Sequence, residues 1–126
     1  MRTGSTIRVS GTTSNSPIPS LSVIGGANAA SQAVHILDVI EGALKALGSS
    51  LSDVVRTRIM VKDASTCEAV SRVHGWVFAN AHAGASVLPA NTFTCAGLIG
   101  EEMLVEIEAE AEVDCSRPGV LRITKA

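Results

Sequence analysis

The fold of this chain is decided by the stretch MLVEIEAEAEV, residues 103–113, in which side chains alternate in character with a period of two. Successive side chains of a β-strand point to opposite faces of a sheet. Met103 therefore shares one face with the apolar residues at every second position, and Leu104 shares the other face with four glutamates. One face is core and the other is polar, which predicts a long strand covered on one side only.

Outward from this strand, five further elements are separated by turn-forming residues. They are predicted as a strand at 6–10, a helix at 28–47, a strand at 54–61, a helix at about 65–81 and a strand at about 92–96. Gly48 ends the first helix, and a turn is expected at Gly100. This order predicts an α+β fold in which two helices pack on one face of a mixed sheet. We expect a single domain at 1–113, followed by a tail at 114–126 with room for a short added strand at 120–123.

The spacing of apolar residues predicts which side of each element is buried. The buried stripe of the first helix consists of Ala33, Leu37, Ile40, Leu44 and Leu47, and that of the second of Cys67, Val70, Val73 and Val77. Ser65 and Glu68 resemble a capping box at the start of the second helix. In the strand at 54–61, the expected buried residues are Val55, Thr57, Ile59 and Val61, and the two arginines, Arg56 and Arg58, take the other face.

Composition and charge exclude several classes of protein. With 126 residues, 46% of them hydrophobic and 17% charged, the chain can fold around its own core. It contains no apolar run near the roughly 20 residues that span a bilayer. Residues 1–9 lack the features of a secretory signal, so we expect a cytoplasmic protein with no membrane partner. A net charge of −2, one Trp, two Phe and no Tyr argue against nucleic-acid binding.

Histidines and cysteines give no signal for a metal, a cofactor or thiol chemistry. They are His35, His74, His82, Cys67, Cys95 and Cys115. The histidines form no HxxxH pair and are interpreted as surface or helix-face residues. The cysteines show neither CxxC nor zinc-finger spacing, and Cys95 is expected to act as a small hydrophobe in its strand. We predict no metal and no cofactor.

The glutamate row of the last strand admits two interpretations. Closely placed carboxylates can bind hard cations or exchange protons with a substrate. A row of glutamates on the outward face of a strand is more often solvated, and this interpretation is preferred for Glu108, Glu110 and Glu112. Arg56 and Arg58 are placed to neutralise them from a facing strand. Glu106 is a separate case, for the reason that follows.

Six blocks of sequence, taken together, resemble the reactive intermediate deaminase (Rid, YjgF-like) family. They are Ile7-Arg8-Val9-Ser10-Gly11, the helix that contains Gln32 and ends Ala46-Leu47-Gly48, Asp53-Val54-Val55-Arg56-Thr57, Val61-Lys62-Asp63, Pro89-Ala90-Asn91-Thr92 and Val105-Glu106-Ile107-Glu108-Ala109. They occur in the family's order and cover residues 3–113. The resemblance implies a ferredoxin-like, chorismate-mutase-like subunit, a homotrimer whose sheets form a central barrel, and three small-molecule clefts at subunit interfaces.

The same resemblance implies the site residues. In deaminating members of the family, an arginine holds the substrate carboxylate and a glutamate positions the attacking water, so that the product is a 2-oxo acid plus ammonia. The glutamate corresponds to Glu106, and the arginine position reads Asn91. The implied substrate-binding residues are Ser10, Gly11, Ser71, Asn91, Thr92 and Phe93. A neutral amide cannot balance a carboxylate as the arginine fork does, so efficient turnover of 2-imino acids is not expected.

Two functions are left open by these residues. One is hydrolytic, deaminase-like addition of water to an imine, an enamine or a related metabolite, with Glu106 activating the water. The alternative is a non-catalytic ligand-binding or regulatory trimer that uses the same cleft. Arg56 and Arg58 likewise have two possible roles, as replacements for the missing cation or as partners of the glutamate row. Ser71, which stands where the family has an asparagine, points to a changed substrate.

Overall fold

The computed structural model describes residues 1–81 and 88–114. Its strands are β1 (Arg2–Thr3), β2 (Thr6–Thr12), β3 (Val54–Val61), β4 (Ala90–Cys95) and β5 (Val105–Glu112), and its helices are α1 (Ala29–Ala46) and α2 (Cys67–Ala79). The sheet has the order β1-β2-β5-β3-β4. It is mixed, because β5 runs antiparallel to both β2 and β3, while β4 runs parallel to β3. Two helices on a mixed sheet confirm the predicted α+β, chorismate-mutase-like fold.

The period-two stretch forms a long strand covered on one side, as predicted, and this strand lies at the centre of the sheet. Met103, Val105, Ile107, Ala109 and Ala111 are all buried, and the glutamates between them are half-buried on the opposite face. Strand β5 has neighbours on both edges and one face against α1, so its apolar residues lie in the middle of the core. We call the face with the helices the covered face and the one with the glutamates the open face.

Helix α1 lies within one residue of the predicted bounds. The Asn28 side chain caps its start by accepting a hydrogen bond from the Ser31 backbone amide at 2.9 Å. Gly48 follows its end with φ of 80°, a left-handed conformation that glycine adopts without strain. Of the predicted stripe residues, Ala33, Leu37, Ile40 and Leu44 are buried and Leu47 is half-buried against the core, so this stripe covers β5 and β2.

The start of helix α2 differs from the prediction. The expected capping box of Ser65 and Glu68 is absent, since the helix begins at Cys67 and its N-cap, Thr66, makes no side-chain capping bond. Instead Asp63 accepts from the Ser65 backbone amide at 2.9 Å and starts a 3-10 turn. That hydrogen bond holds the pKa of Asp63 below its usual value. An aspartate ahead of the serine thus captures the Ser65 amide, which the Glu68 side chain would bind in a capping box.

The buried sides of α2 and β3 are also shifted from the prediction. In α2 the buried residues are Val70, His74 and Phe78, and the expected Cys67, Val73 and Val77 are only half-buried. In β3 the register against β5 shifts between Val54 and Arg56. This irregularity buries Val54 and leaves the expected Val55 half-buried, while Thr57, Ile59 and Val61 are buried as predicted.

One observed element was not predicted from the sequence, and some predicted features lie outside the described residues. Strand β1, which the sequence did not predict, has two residues and therefore no detectable period; it pairs with β2. The predicted strand at 120–123, most of the connection at 84–89, His82 and Cys115 lie outside the described residues. Among the helices described, none is long and apolar enough to cross a membrane.

Candidate functional site

The pleat of the sheet separates the predicted site residues into two groups. Glu106 belongs to the glutamate row on the open face, and the register of β4 with β3 places Thr92 on the same side as Arg58. Asn91 pairs in register with Thr57, and Phe93 pairs with Ile59, both of which are buried on the covered face. A single chain therefore does not bring Glu106 and Asn91 together.

A β-bulge in β2 brings Gly11 against Glu106. The register runs from Val9 opposite Ala109 to Thr12 opposite Ile107, so two residues, Ser10 and Gly11, occupy the space of one. A Cβ atom added to Gly11 would overlap the Glu106 Oε1 atom. Glycine at this position leaves the room in which the Glu106 carboxylate lies.

Within the described residues Glu106, like Glu110, has no polar partner, in contrast to Glu108 and Glu112. Glu108 forms an ion pair with Arg58 at 3.1 Å, as predicted for a solvated row neutralised from the facing strand. Glu112 accepts hydrogen bonds from the hydroxyls of Thr6 at 2.6 Å and Ser5 at 3.1 Å. Glu106 faces Met60 across the sheet and has no hydrogen bond or ion pair within residues 1–81 and 88–114. It is a half-buried carboxylate available to a ligand.

The arginines of β3 are engaged on the open face. Arg58 holds Glu108, and Arg56 Nη1 donates to Thr92 Oγ1 at 3.3 Å while its Cα position lies opposite Glu110. Neither arginine side chain forms a hydrogen bond with Asn91 in the part of the chain that is described. The structure thus favours the pairing role for Arg58 over replacement of a missing cation.

Ser10 lines a shallow depression of about 400 Å³ on the open face. Its lining consists of Met1, Arg8, Val9, Ser10, Glu108, Ala109 and Glu110. Charges of both signs surround it, and Glu106 is not part of its wall. The depression therefore lies beside the Glu106–Gly11 contact and does not contain it.

On the covered side, Asn91 is the outer end of a polar chain that enters the protein interior. Its Nδ2 atom donates to Thr57 Oγ1 at 2.9 Å, and Thr57 Oγ1 lies 2.8 Å from His74 Nε2. Thr57 is fully buried and His74 is 7% exposed, whereas Asn91 is exposed at the edge of the sheet. A hydrogen bond to the buried hydroxyl of Thr57 therefore holds the Asn91 side chain in place.

His74 is uncharged at neutral pH. Its burial in α2 against Phe78, with ring centroids 4.7 Å apart, lowers its pKa to about 4 from the ordinary value of 6.5. The sequence placed His74 on a helix face but did not predict its burial or its partner. The available signal was a polar residue at the centre of an apolar spacing, four residues after Val70 and four before Phe78.

The three other predicted residues, Ser71, Phe93 and Cys95, differ in their exposure to solvent. Ser71 is exposed on α2, one turn before His74, and its side chain makes no hydrogen bond within the described residues. Phe93 is half-buried and packs against the core. Cys95, expected as a buried hydrophobe, is exposed, because β4 is an edge strand; its thiol lies 3.5 Å from the Lys62 carbonyl. No cluster of three metal-ligating side chains occurs in residues 1–81 and 88–114.

Comparisons with known proteins agree with this architecture. The family model described as Endoribonuclease L-PSP matches residues 1–113. Rv2704 of Mycobacterium tuberculosis, described as a member of the YjgF/YER057c/UK114 family, is 36% identical, with a TM-score of 0.74 over 89% of this chain and 82% of its own. The YjgF gene product of E. coli is 26% identical, with a TM-score of 0.75 over 89% of this chain and 84% of its own.

A third solved structure is also similar to this chain. NMB1025 of Neisseria meningitidis, described as a member of the YjgF protein family, is 27% identical. Its TM-score is 0.69, over 86% of this chain and 80% of its own. The chain therefore covers most of the length of each of these three structures.

Proposed function

Because this chain belongs to the Endoribonuclease L-PSP family, also known as the YjgF/Rid family, we propose that it is a hydrolase with deaminase-like chemistry. The proposed substrate is an imine, an enamine or a related metabolite bound in a cleft between subunits of a homotrimer. Glu106 is the proposed catalytic residue. Ser10, Gly11, Ser71, Asn91, Thr92 and the Phe93 backbone are the proposed lining of the cleft.

The observation that carries this proposal is the Glu106 carboxylate lying over Gly11 without a polar partner. A carboxylate in an ion pair is committed to its cation, as Glu108 is to Arg58. A half-buried carboxylate without such a partner is free to accept a proton from a water molecule, as a general base requires. The bulge and the glycine leave room for the carboxylate at this place.

The proposed reaction adds water across a C=N bond. Glu106 accepts a proton from the water as the water oxygen bonds to the imine carbon, and passes this proton to the imine nitrogen. Transfer of the second proton, from the new hydroxyl group to nitrogen, lets the C–N bond break, which releases ammonia and leaves a carbonyl. Atoms balance as one imine and one water giving one carbonyl compound and one ammonia, with no change of oxidation state.

The positions of Glu106 and Asn91 support a site shared between subunits, as in the proposed trimer. They lie on opposite sides of one sheet, so one chain cannot present both to the same small molecule. Asn91 lies on β4 at the sheet edge, where a second copy can place its own Glu106. A cleft between two copies is the arrangement that supports a shared site, and cyclic symmetry repeats it around the assembly.

The neutral amide at position 91 supports a substrate other than a simple 2-imino acid. In the family's deaminating members the corresponding arginine balances the substrate carboxylate. Asn91 carries no charge, and one of its amide protons is committed to Thr57. The same observation favours a second candidate, a non-catalytic or regulatory trimer in which the cleft binds its ligand without turnover.

Cleavage of RNA, which the family model's description names, is less well supported for this chain. Its formal net charge of −2 gives no electrostatic attraction to phosphates. The open face alternates arginines with glutamates, so it offers no continuous basic surface. We expect no salt-dependent binding of single-stranded RNA, which a fluorescence anisotropy titration measures directly.

The first experiment measures ammonia release from 2-iminopropanoate and from a panel of uncharged imines. We expect turnover of an uncharged imine by the wild type, little turnover of 2-iminopropanoate, and gain of the latter activity in Asn91→Arg. Glu106→Gln is expected to lower turnover by about 10²- to 10⁴-fold, the usual contribution of a general base.

Glu108→Gln is the matched control, because Glu108 lies on the same strand face but is paired with Arg58. Its turnover is expected to stay within twofold of wild type. Equal losses in the two variants would refute the special role of Glu106. Tight ligand binding with no ammonia release from any imine would favour the non-catalytic candidate. Sedimentation equilibrium tests the trimer independently.

A further inference from the structure

The chain Asn91–Thr57–His74 fixes which end of the Asn91 amide faces a ligand. Thr57 Oγ1 accepts a hydrogen bond from Asn91 Nδ2 at 2.9 Å. Thr57 has one hydroxyl proton, is fully buried, and has His74 Nε2 at 2.8 Å as the one acceptor within its reach in the described residues. The hydroxyl is satisfied in both directions only if it donates to His74 Nε2.

This arrangement requires His74 to be neutral, with its proton on Nδ1. Burial in α2 keeps it neutral, since its pKa is lowered to about 4. With Nε2 accepting from Thr57 and Thr57 accepting from Asn91, the direction of donation runs inward along the whole chain. The outward-facing atom of Asn91 is then its carbonyl oxygen, Oδ1, which has no hydrogen-bond partner within residues 1–81 and 88–114.

We infer that the cleft selects a neutral ligand that donates an N–H hydrogen bond to Asn91 Oδ1, and rejects a ligand that presents a carboxylate there. The inference rests on the proposed function, since it assumes that Asn91 lines the cleft. It assigns Thr57 and His74 as positioning residues, which act through Asn91 without touching the ligand. A carboxylate oxygen facing Oδ1 would meet another acceptor, and the resulting repulsion excludes it.

A matched pair of probes tests the ligand class. Pyruvate and pyruvamide (2-oxopropanamide) have the same shape, but the amide places N–H donors where pyruvate has a carboxylate oxygen. Binding is followed by NMR titration of the Asn91 side-chain amide and of the Glu106 region. We expect the wild type to bind pyruvamide about tenfold more tightly than pyruvate, the value of one or two net hydrogen bonds.

Variants at position 57 separate the orienting role from mere packing. Thr57→Val removes the hydroxyl at nearly constant volume and so allows the side-chain amide of Asn91 to flip. We expect this variant to reduce the preference for pyruvamide over pyruvate to within about threefold. Thr57→Ser keeps the hydroxyl and the preference. Asn91→Arg is expected to reverse the preference in favour of pyruvate.

The tautomer of His74 gives a readout that needs no ligand. Long-range ¹⁵N–¹H correlation spectra at pH 7 should show a protonated Nδ1 and an unprotonated Nε2. A proton on Nε2 would mean that the chain runs outward and that Asn91 presents Nδ2 instead, which overturns the inference. Tighter binding of pyruvate than pyruvamide at the same cleft overturns it too. If neither probe shifts Asn91 or Glu106, the proposed cleft itself is wrong and the inference falls with it.

Discussion

The covered and open faces of the same sheet hold polar side chains under opposite conditions. On the covered face, Thr57 and His74 lie within the apolar core and depend on each other for hydrogen bonding. On the open face, the side chains of Arg58 and Glu108 form an ion pair while they remain 51% and 41% exposed. Water can replace a lost partner on the open face but not on the covered face. Changes on the covered face should therefore affect stability, and changes on the open face should mainly affect function.

Acidification should reveal the largest difference between the faces. The pKa of His74 is about 4 in the folded chain and 6.5 in the ordinary, exposed state, so between these values the unfolded chain binds more protons. Stability therefore rises with pH across this window and is lost as pH falls through it. The difference is on the order of 3 kcal/mol between pH 7 and pH 4.

Urea unfolding of wild type and His74→Gln at pH 4, 5, 6 and 7 measures this contribution. The variant lacks the titrating ring, so its stability should fall much less over the same range. Carboxylates titrate in both proteins and cancel in the difference. Parallel pH profiles for the two proteins would show that His74 does not lose its proton affinity on folding.

Removing the Thr57 hydroxyl should have the next largest effect. Thr57→Val preserves volume and the β-branched shape but leaves His74 Nε2 buried without a donor. Leaving such a group unsatisfied costs about 1 to 3 kcal/mol. The midpoint of urea unfolding should fall accordingly with an unchanged m-value, and Thr57→Ser, which keeps the hydroxyl, should recover most of the loss. Equal midpoints for the valine variant and wild type would place Thr57 outside any stabilising chain.

On the open face, Gly11→Ala should separate function from stability. The added methyl would overlap the Glu106 carboxylate, but that carboxylate is the end of a flexible side chain and can rotate away. The stability loss should stay below about 1 kcal/mol, as for other surface substitutions. Turnover of an uncharged imine should fall at least tenfold, because the proposed base has moved. Gly97→Ala, where no atom lies near the added methyl, is the matched control. Full activity in Gly11→Ala would show that the position of Glu106 does not matter.

Local sequence patterns predicted burial within an element, but they did not predict how distant elements pair. The alternation of 103–113 and the stripe of α1 are regular local patterns that report directly on burial, and both were confirmed. The shift from Val55 to Val54 depends on the pairing of β3 with β5, about 50 residues away, which no local period records. The link from Asn91 to His74 likewise joins three elements, so the hydrogen-bond partner of the histidine could not be read from α2 alone.

The candidate site was likewise predictable in part only. Resemblance supplied Glu106 and Gly11, and the bulge that brings them together supports that pairing although it was not predicted. The positions of Glu106 and Asn91 on opposite sides of the sheet follow from the register of β4, a parallel edge strand whose neighbour the sequence did not specify. Alternation within each strand was predictable, whereas the alignment between strands was not.

The smallest effect is expected for the Arg58–Glu108 ion pair. Its atoms lie 3.1 Å apart, yet both side chains are about half exposed, so solvent and salt screen their attraction. A double-mutant cycle with Arg58→Ala and Glu108→Ala should give a coupling of about 0.2 to 1 kcal/mol at low salt, and less in 0.5 M NaCl. The Thr57–His74 pair, measured by the same cycle with Thr57→Val and His74→Gln, should give a larger coupling that salt does not change, because its partners are neutral and buried. A salt-independent coupling above about 2 kcal/mol for Arg58 and Glu108 would mean that the open face is desolvated in solution. Since it is exposed in the single chain, a subunit interface would then have to cover it, which would extend the proposed trimer contact across the glutamate row.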